Sequence, residues 1–166
     1  MPFDRLVLGV DRWAQSHGRN DVFAQIGLEG RRPGFIQYKA FLNPDEFRTH
    51  VESASVVVAH AGMGSILTAL ELGKPILVMP RRGDLMETRN DHQLATAKHL
   101  AAQGRVTVAW DESELDVALD RIDQLQPARR IGAQASPQLL EAIRSFIFNR
   151  DVAPADASAA LSRTSQ

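Results

Sequence analysis

Ser55-Val-Val-Val-Ala-His60-Ala-Gly-Met-Gly-Ser65 decides how this chain is read. Three successive valines do not alternate with polar residues, so residues 55–59 read as a strand buried on both faces. An apolar run at helical spacing follows and stops at Gly73, which predicts a helix over residues 64–72. The strand therefore turns into a helix within a few residues, and two of those residues are Gly62 and Gly64.

The same alternation extends outward in both directions. Downstream, residues 75–79 form a second wholly apolar strand, and residues 90–103 a helix. A strand at 105–109 and a helix over 111–125, opened by Asp111 and Glu114, come next. Upstream, residues 2–17 read as a helix with Leu6, Val10, Trp13 and Ala14 on one face and Gly18 as its stop. Residues 21–26 and 35–38 are strand candidates separated by the polar, Gly-rich loop 27–34. Asn43-Pro-Asp-Glu46 is a capping box with Pro at the first helical position, so a helix runs from there to about Ser53. A final helix is expected over residues 137–148, where Leu139, Leu140, Ile143 and Ile147 form a stripe widened by Phe146 and Phe148. That face reads as core packing, with docking of a partner as the other use. Residues 149–166 are rich in Ala, Ser, Asp and Pro and read as a disordered tail. Strands alternating with helices indicate an α/β fold with a Rossmann-like, doubly wound parallel sheet. Ligands of such sheets bind at the carboxyl ends of the strands.

Composition narrows the function classes. An apolar fraction of 44% and a charged fraction of 23% over 166 residues are those of one ordinary globular domain. The net charge of −1 argues against a nucleic-acid partner, which needs a basic excess. There is no cysteine, so thiolate chemistry, disulfides and Cys-ligated zinc are excluded. No signal peptide and no apolar run of the roughly 20 residues that span a bilayer is visible.

The turn at His60 has the features of a phosphate site. A helix start offers unpaired N–H groups and the positive end of the helix dipole. Gly62 and Gly64 allow close approach, and Ser65 adds a hydroxyl. A tight turn with a structural histidine is the equally open reading on spacing alone. Two other phosphate motifs are excluded. Leu67 stands where a G-x-G-x-x-G would need glycine, and Gly73-Lys74 lacks the rest of a P-loop. The loop after residue 79 supplies Arg81, Arg82 and Arg89, which suit a phosphate or carboxylate. Asp91, His92 and Gln93 suit sugar hydroxyls, although Asn90 to Gln93 can also be a capping box. No metal site is expected, because Asp91-His92 has no second cluster.

Taken in order, His60-Ala-Gly-Met-Gly-Ser65, Gly73-Lys-Pro75 and Asp91-His-Gln93 resemble the C-terminal, donor-binding domain of glycosyltransferase family 28, the MurG-like group. Pro2-Phe-Asp-Arg-Leu6, Val22-Phe-Ala-Gln-Ile-Gly27, Leu70-Glu-Leu-Gly-Lys-Pro75 and Met79-Pro-Arg-Arg82 narrow the likeness. It is then to the small donor-binding subunit of two-component bacterial exopolysaccharide glycosyltransferases, which is similar to the catalytic subunit of the dolichol-linked chitobiose synthase. The likeness covers about residues 2–148.

The resemblance implies a single GT-B half-domain over residues 1–148 that binds a UDP-sugar donor. It implies inverting transfer of a hexose to a lipid-linked saccharide acceptor in exopolysaccharide biosynthesis. The donor site would comprise His60, Gly62, Gly64, Ser65, Thr68, Arg81, Asp91, His92 and Gln93. No metal and no cofactor is expected. The general base and acceptor site would come from a membrane-anchored partner subunit, which would hold this chain in the cytoplasm, peripheral to the inner membrane. The arginines suggest UDP-glucuronate as donor, with UDP-galactose and UDP-glucose also open. A non-catalytic activator subunit and a UDP-sugar epimerase are the alternative functions. Two departures stand out. Relatives carry Glu where this chain has Thr68, with Glu71 one turn later. They also begin with an apolar strand of the type Ile-Phe-Val-Thr-Val-Gly, whereas here Met1 directly precedes Pro2-Phe-Asp-Arg-Leu6. In a doubly wound sheet that strand is central, so its neighbours would be unpaired. Either coding sequence upstream of Met1 supplies it or a partner fills the gap.

Overall fold

A computed structural model describes residues 2–89 and 91–128. Asn90, the helix expected at 137–148 and the tail from residue 149 lie outside the described residues. Everything described falls in one unit, residues 1–131.

The elements run α1 (Asp4–Ser16), β1 (Phe23–Gln25), β2 (Gln37–Lys39), α2 (Pro44–Ser53), β3 (Val57–His60), α3 (Met63–Leu72), β4 (Ile76–Met79), α4 (His92–Ala102), β5 (Thr107–Val108) and α5 (Glu112–Asp120). A 3₁₀ turn follows at Ile122–Gln124. Successive side chains of a strand point to opposite faces, and β4 shows how this builds two layers. Leu77 and Met79 pack with Leu6, Val10 and Trp13 of α1 and Leu115 and Leu119 of α5. Ile76 and Val78 pack on the other face with Ile66 and Leu70 of α3 and Ala97 of α4. All four β4 residues are buried, which is why the segment has no polar position. Helices α1 and α5 meet closely at Gly9, where an added Cβ would stand 2.9 Å from Leu115 Cδ2.

Every strand pair is parallel, as a doubly wound fold requires. The strands fall into two sheets, in keeping with the expectation that two of them would lack a neighbour. One sheet holds β1 and β2, the other β3, β4 and β5 in that order. Between β1 and β3 lies a cavity of about 820 Å³. This explains why the valines of β3 are only half-buried although their sequence reads as a strand covered on both faces. One edge of β3 pairs with β4, and the other faces the cavity.

Several boundaries also differ from the expected ones. The strand expected at 35–38 forms at Gln37–Lys39 instead. The Asp11 carboxylate accepts the backbone N–H groups of Gly34, Phe35 and Ile36 at 2.8 to 2.9 Å, which fixes these residues in the loop. Helix α5 ends at Asp120 rather than near 125. The capping box at Asn43 and Glu46 is present in both directions. By contrast, Asp91 stands at the start of α4 without a side-chain cap. The Gln93 amide oxygen accepts the Arg81 N–H at 3.2 Å, so Gln93 braces the neighbouring loop; the capping box expected between Asn90 and Gln93 lies outside the described residues.

Candidate functional site

The register of β3 and β4 pairs His60 with Met79. The two strands therefore end side by side, and the His60 turn lies beside the loop that begins at Pro80. Gly62 is the N-cap of α3 and no side chain caps that helix. Its first-turn N–H groups at Met63, Gly64 and Ser65 have no carbonyl within the helix to bond, as at any helix start.

The two glycines serve different purposes. A Cβ on Gly62 would overlap the His60 imidazole, 2.7 Å from Nδ1 and 3.1 Å from Nε2. Gly62 is thus the residue that lets the ring fold over the turn. A Cβ on Gly64 would meet no atom within 4 Å, and its φ is not positive. Neither packing nor backbone conformation requires glycine there, and the space in front of it is open.

Beneath this turn the polar groups are few and buried. Burial and the nearby Arg81 charge lower the His60 pKa below its ordinary 6.5, against the opposing effect of a hydrogen bond to Gln93. The ring is therefore neutral at pH 7. Gln93 itself is 5% exposed. Burial likewise holds the Arg81 guanidinium below its usual pKa, with Glu87 opposing, and the group lies over the Phe3 ring, 5.3 Å from its centre. Among the described residues, His60 Nδ1 and Arg81 Nε are the buried side-chain nitrogens without a hydrogen-bond partner. Unpaired buried polar atoms are costly, and these two belong to residues that line the cavity together with Gly64 and Ser65.

The other expected residues are placed less uniformly. Asp91 Oδ1 accepts the Gly83 N–H at 2.9 Å, which closes the loop on itself. His92 opens α4 and is exposed. The Thr68 hydroxyl donates to the Gly64 carbonyl at 2.9 Å within α3, and Thr68 does not line the cavity. Of the three loop arginines, Arg82 is held by Asp84 at 2.6 and 3.0 Å and Arg89 is exposed. Arg81 is the one drawn into the site.

Spacing alone gave no sign of the clamp on this loop. Arg5 on α1 forms a two-pronged ion pair with Glu87, both bonds 2.8 Å. Its Nη2 also donates to the Pro80 carbonyl and its Nη1 to Glu112. The Glu87 Oε2 atom accepts the Arg82 N–H. A contact across 82 residues leaves no local trace, and Arg5 entered the sequence reading only within Pro2-Phe-Asp-Arg-Leu6.

A parallel α/β half-domain with helices on both faces of its strands defines the class of Rossmann-like domains. Within it, the chain belongs to the glycosyltransferase family 28 C-terminal domain family, whose model matches residues 2–144. Curated relatives carry the name UDP-N-acetylglucosamine transferase subunit ALG13. The human protein is 32% identical over 97 residues, covering 55% of this chain and 8% of its own length. A protein of Cryptococcus neoformans is 32% identical over 125 residues, covering 74% of this chain and 54% of its own. One of Yarrowia lipolytica is 29% identical over 105 residues, covering 63% and 50%. The chain thus spans about half the length of the fungal relatives and a small part of the human one. In fold it is similar to the glycotransferase of kitacinnamycin, with a TM-score of 0.51 and 20% identity over 84% of this chain and 33% of that one.

Proposed function

We propose that the chain is the donor-binding subunit of an inverting UDP-sugar glycosyltransferase. The observation that carries this is the convergence of the open, uncapped start of α3 with two buried, unpartnered nitrogens, His60 Nδ1 and Arg81 Nε. The family match and the name of the fungal and human relatives support it.

The diphosphate of the donor lies against the N–H groups of Gly64 and Ser65, where the helix dipole favours negative charge. As the glycosidic bond to UDP breaks, charge grows on the departing diphosphate, and these fixed donors and Arg81 stabilise it there. The neutral His60 ring shapes the floor beside Gly62. Asp91 and His92 face the sugar from the start of α4, while Gln93 and Thr68, bonded to the Arg81 N–H and the Gly64 carbonyl, hold the site from behind. Neither a metal nor a cofactor is used.

The base that takes the acceptor proton comes from a second, membrane-anchored subunit that presents a lipid-linked saccharide. No helix among the described residues is long and apolar enough to cross a membrane, which fits attachment through such a partner. The setting we favour is exopolysaccharide assembly at the cytoplasmic face of the inner membrane.

Calorimetry with UDP, UDP-glucuronate, UDP-galactose, UDP-glucose and UDP-N-acetylglucosamine tests the reading. UDP alone should bind, and Arg81→Gln should weaken it about tenfold or more, as expected for loss of a charged hydrogen bond. No binding of UDP or any of these donors would refute the proposal. A preference for the uronate would assign an arginine to the sugar carboxylate.

A further inference from the structure

Beside the site one buried carboxylate stands near two largely buried guanidiniums. Both oxygens of Glu87 are taken by Arg5, through Nε and Nη2, each at 2.8 Å. The Glu87 Oε2 atom also accepts the Arg82 N–H at 3.0 Å, so the carboxylate stands at the peptide that follows Arg81. It is near enough to oppose the loss of the Arg81 charge. Yet among the described residues no carboxylate pairs with Arg81, and its Nε has no partner. Two other acids are already engaged: Glu112 with Arg5, where it is half exposed and solvated, and Asp84 with Arg82. The fold thus leaves the Arg81 charge uncompensated, and such a charge is costly unless an anion meets it.

Phe3 governs where that charge lies. Its side chain is buried in the core layer of α1, β4 and α5, and its carbonyl accepts the Val7 N–H at 3.2 Å, which ties it to the first turn of α1. The Arg81 guanidinium carbon lies 5.3 Å from the ring centre and that of Arg5 5.4 Å. Both fall within the range in which an aromatic face attracts a cation. The attraction matters unequally for the two. Arg5 is already held by Glu87, Glu112 and the Pro80 carbonyl. For the Arg81 guanidinium no hydrogen bond among the described residues competes with the ring.

We propose that Phe3 and Arg5 are positioning residues for an anion-binding Arg81. The Phe3 ring holds the guanidinium at the mouth that Arg81 lines with Gly64 and Ser65. Arg5, by occupying Glu87, keeps the Arg81 charge available for a phosphate group. Both residues act through Arg81. The ligand rests on the diphosphate reading given above, whereas the hold of Phe3 and Arg5 on Arg81 does not.

The test uses the full chain, with UDP and pyrophosphate as calorimetric probes and the Arg81 Nε–H resonance as a readout that needs no ligand. Phe3 is replaced by its mono-, di- and trifluorinated analogues, which keep the ring and withdraw charge from its face. The Arg81 resonance should move stepwise towards that of a free arginine, and affinity for both probes should fall about two- to fivefold across the series. In an Arg81→Gln background the series should leave affinity unchanged, because the ring then has no guanidinium to hold. Arg5→Met should weaken binding about fivefold or more, as Glu87 turns to Arg81. Arg5→Met with Glu87→Leu should return affinity to within about twofold of wild type. A clamp that only stabilises the loop would leave the double variant no better than the single one.

An Arg81 resonance unmoved across the fluorinated series overturns the role of Phe3, as does an equal loss of affinity in the Arg81→Gln background. A double variant that binds no better than Arg5→Met overturns the role of Arg5. Should Arg5→Met alone not fold, the double variant carries that arm, and loss of binding in it overturns the proposal. If the parent chain binds neither probe, the diphosphate reading fails by itself. The Arg81 resonance then still reports whether Phe3 and Arg5 set the position of the guanidinium, and an unmoved resonance in both sets of variants overturns this inference as well.

Discussion

The His60 imidazole lies over the Cα of Gly62, so closely that a methyl group there would stand 2.7 Å from Nδ1. The order His-Ala-Gly is therefore a packing requirement as well as a loop signature. Gly62→Ala should push the ring out of its buried position and cost about 1–3 kcal/mol of stability, typical of overpacking. It should also weaken UDP binding. The partner experiment is His60→Ala with Gly62→Ala. Removing the ring should recover much of the loss, and an additive double-mutant cycle would show that the two residues do not act on each other.

Protonation of the same ring gives stability a pH dependence. Burial and Arg81 depress the folded-state pKa below the ordinary 6.5, so between these two values the unfolded chain binds the extra proton. Stability then rises with pH across that window and levels off above it. Thermal unfolding of wild type and His60→Gln from pH 5 to 8 should show a shallower acid-side slope in the variant. Parallel curves would remove His60 as a source.

Asp11 acts with the opposite chemistry. Burial raises its pKa, but the N–H groups of Ile36, Gly34 and Phe35 outweigh this and hold it below the usual carboxylate value. Its contribution is present above the unfolded-state pKa and is lost as pH falls through the folded-state value. Asp11→Asn should cost about 1–3 kcal/mol near pH 7, because the weaker amide acceptor replaces a charged one. The gap from wild type should narrow below about pH 4. A constant gap in denaturant titrations would contradict the assignment.

The Arg5–Glu87 pair joins the first helix to the loop beside the site, and both side chains are close to 90% buried. Glu87→Ala strands the Arg5 charge. Breaking a buried pair costs about 3–5 kcal/mol, and the remaining bonds to Pro80 and Glu112 should keep this loss at the lower end. Limited proteolysis should then cut the 81–91 loop first. An Arg5→Met, Glu87→Leu double variant should regain stability, since no buried charge is left unpaired and Glu112, half exposed, is solvated. Equal losses in single and double variants would argue against that cause.

What the sequence made legible follows from what is local. The turn at His60, the apolar β4 and the capping box at Asn43 are each written in neighbouring residues, and each forms where spacing put it. Asp11 and Arg5 act across 23 to 107 residues. Their partners are backbone N–H groups, a backbone carbonyl and two scattered glutamates, which no periodicity marks. For the same reason the strand near Phe35 was misplaced by its own β propensity, because a carboxylate two elements away holds the loop open. The division into two sheets was expected only from the family likeness and is marked by no periodicity in the residues themselves.

Gly64 separates a structural turn from a ligand site. Its backbone φ is not positive and its Cβ position is open, so Gly64→Ala should fold normally. It should even gain roughly 0.5–1 kcal/mol, because alanine suits a helix better and loses less entropy on folding. If Gly64 is there for a diphosphate, the same variant should bind UDP more weakly, and Gly64→Trp should not bind it at all. Higher stability with lower affinity is a combination that a purely structural glycine does not produce. Unchanged calorimetric affinity in both variants would move the nucleotide away from the start of α3 and leave Arg81 and His60 without the partner proposed for them.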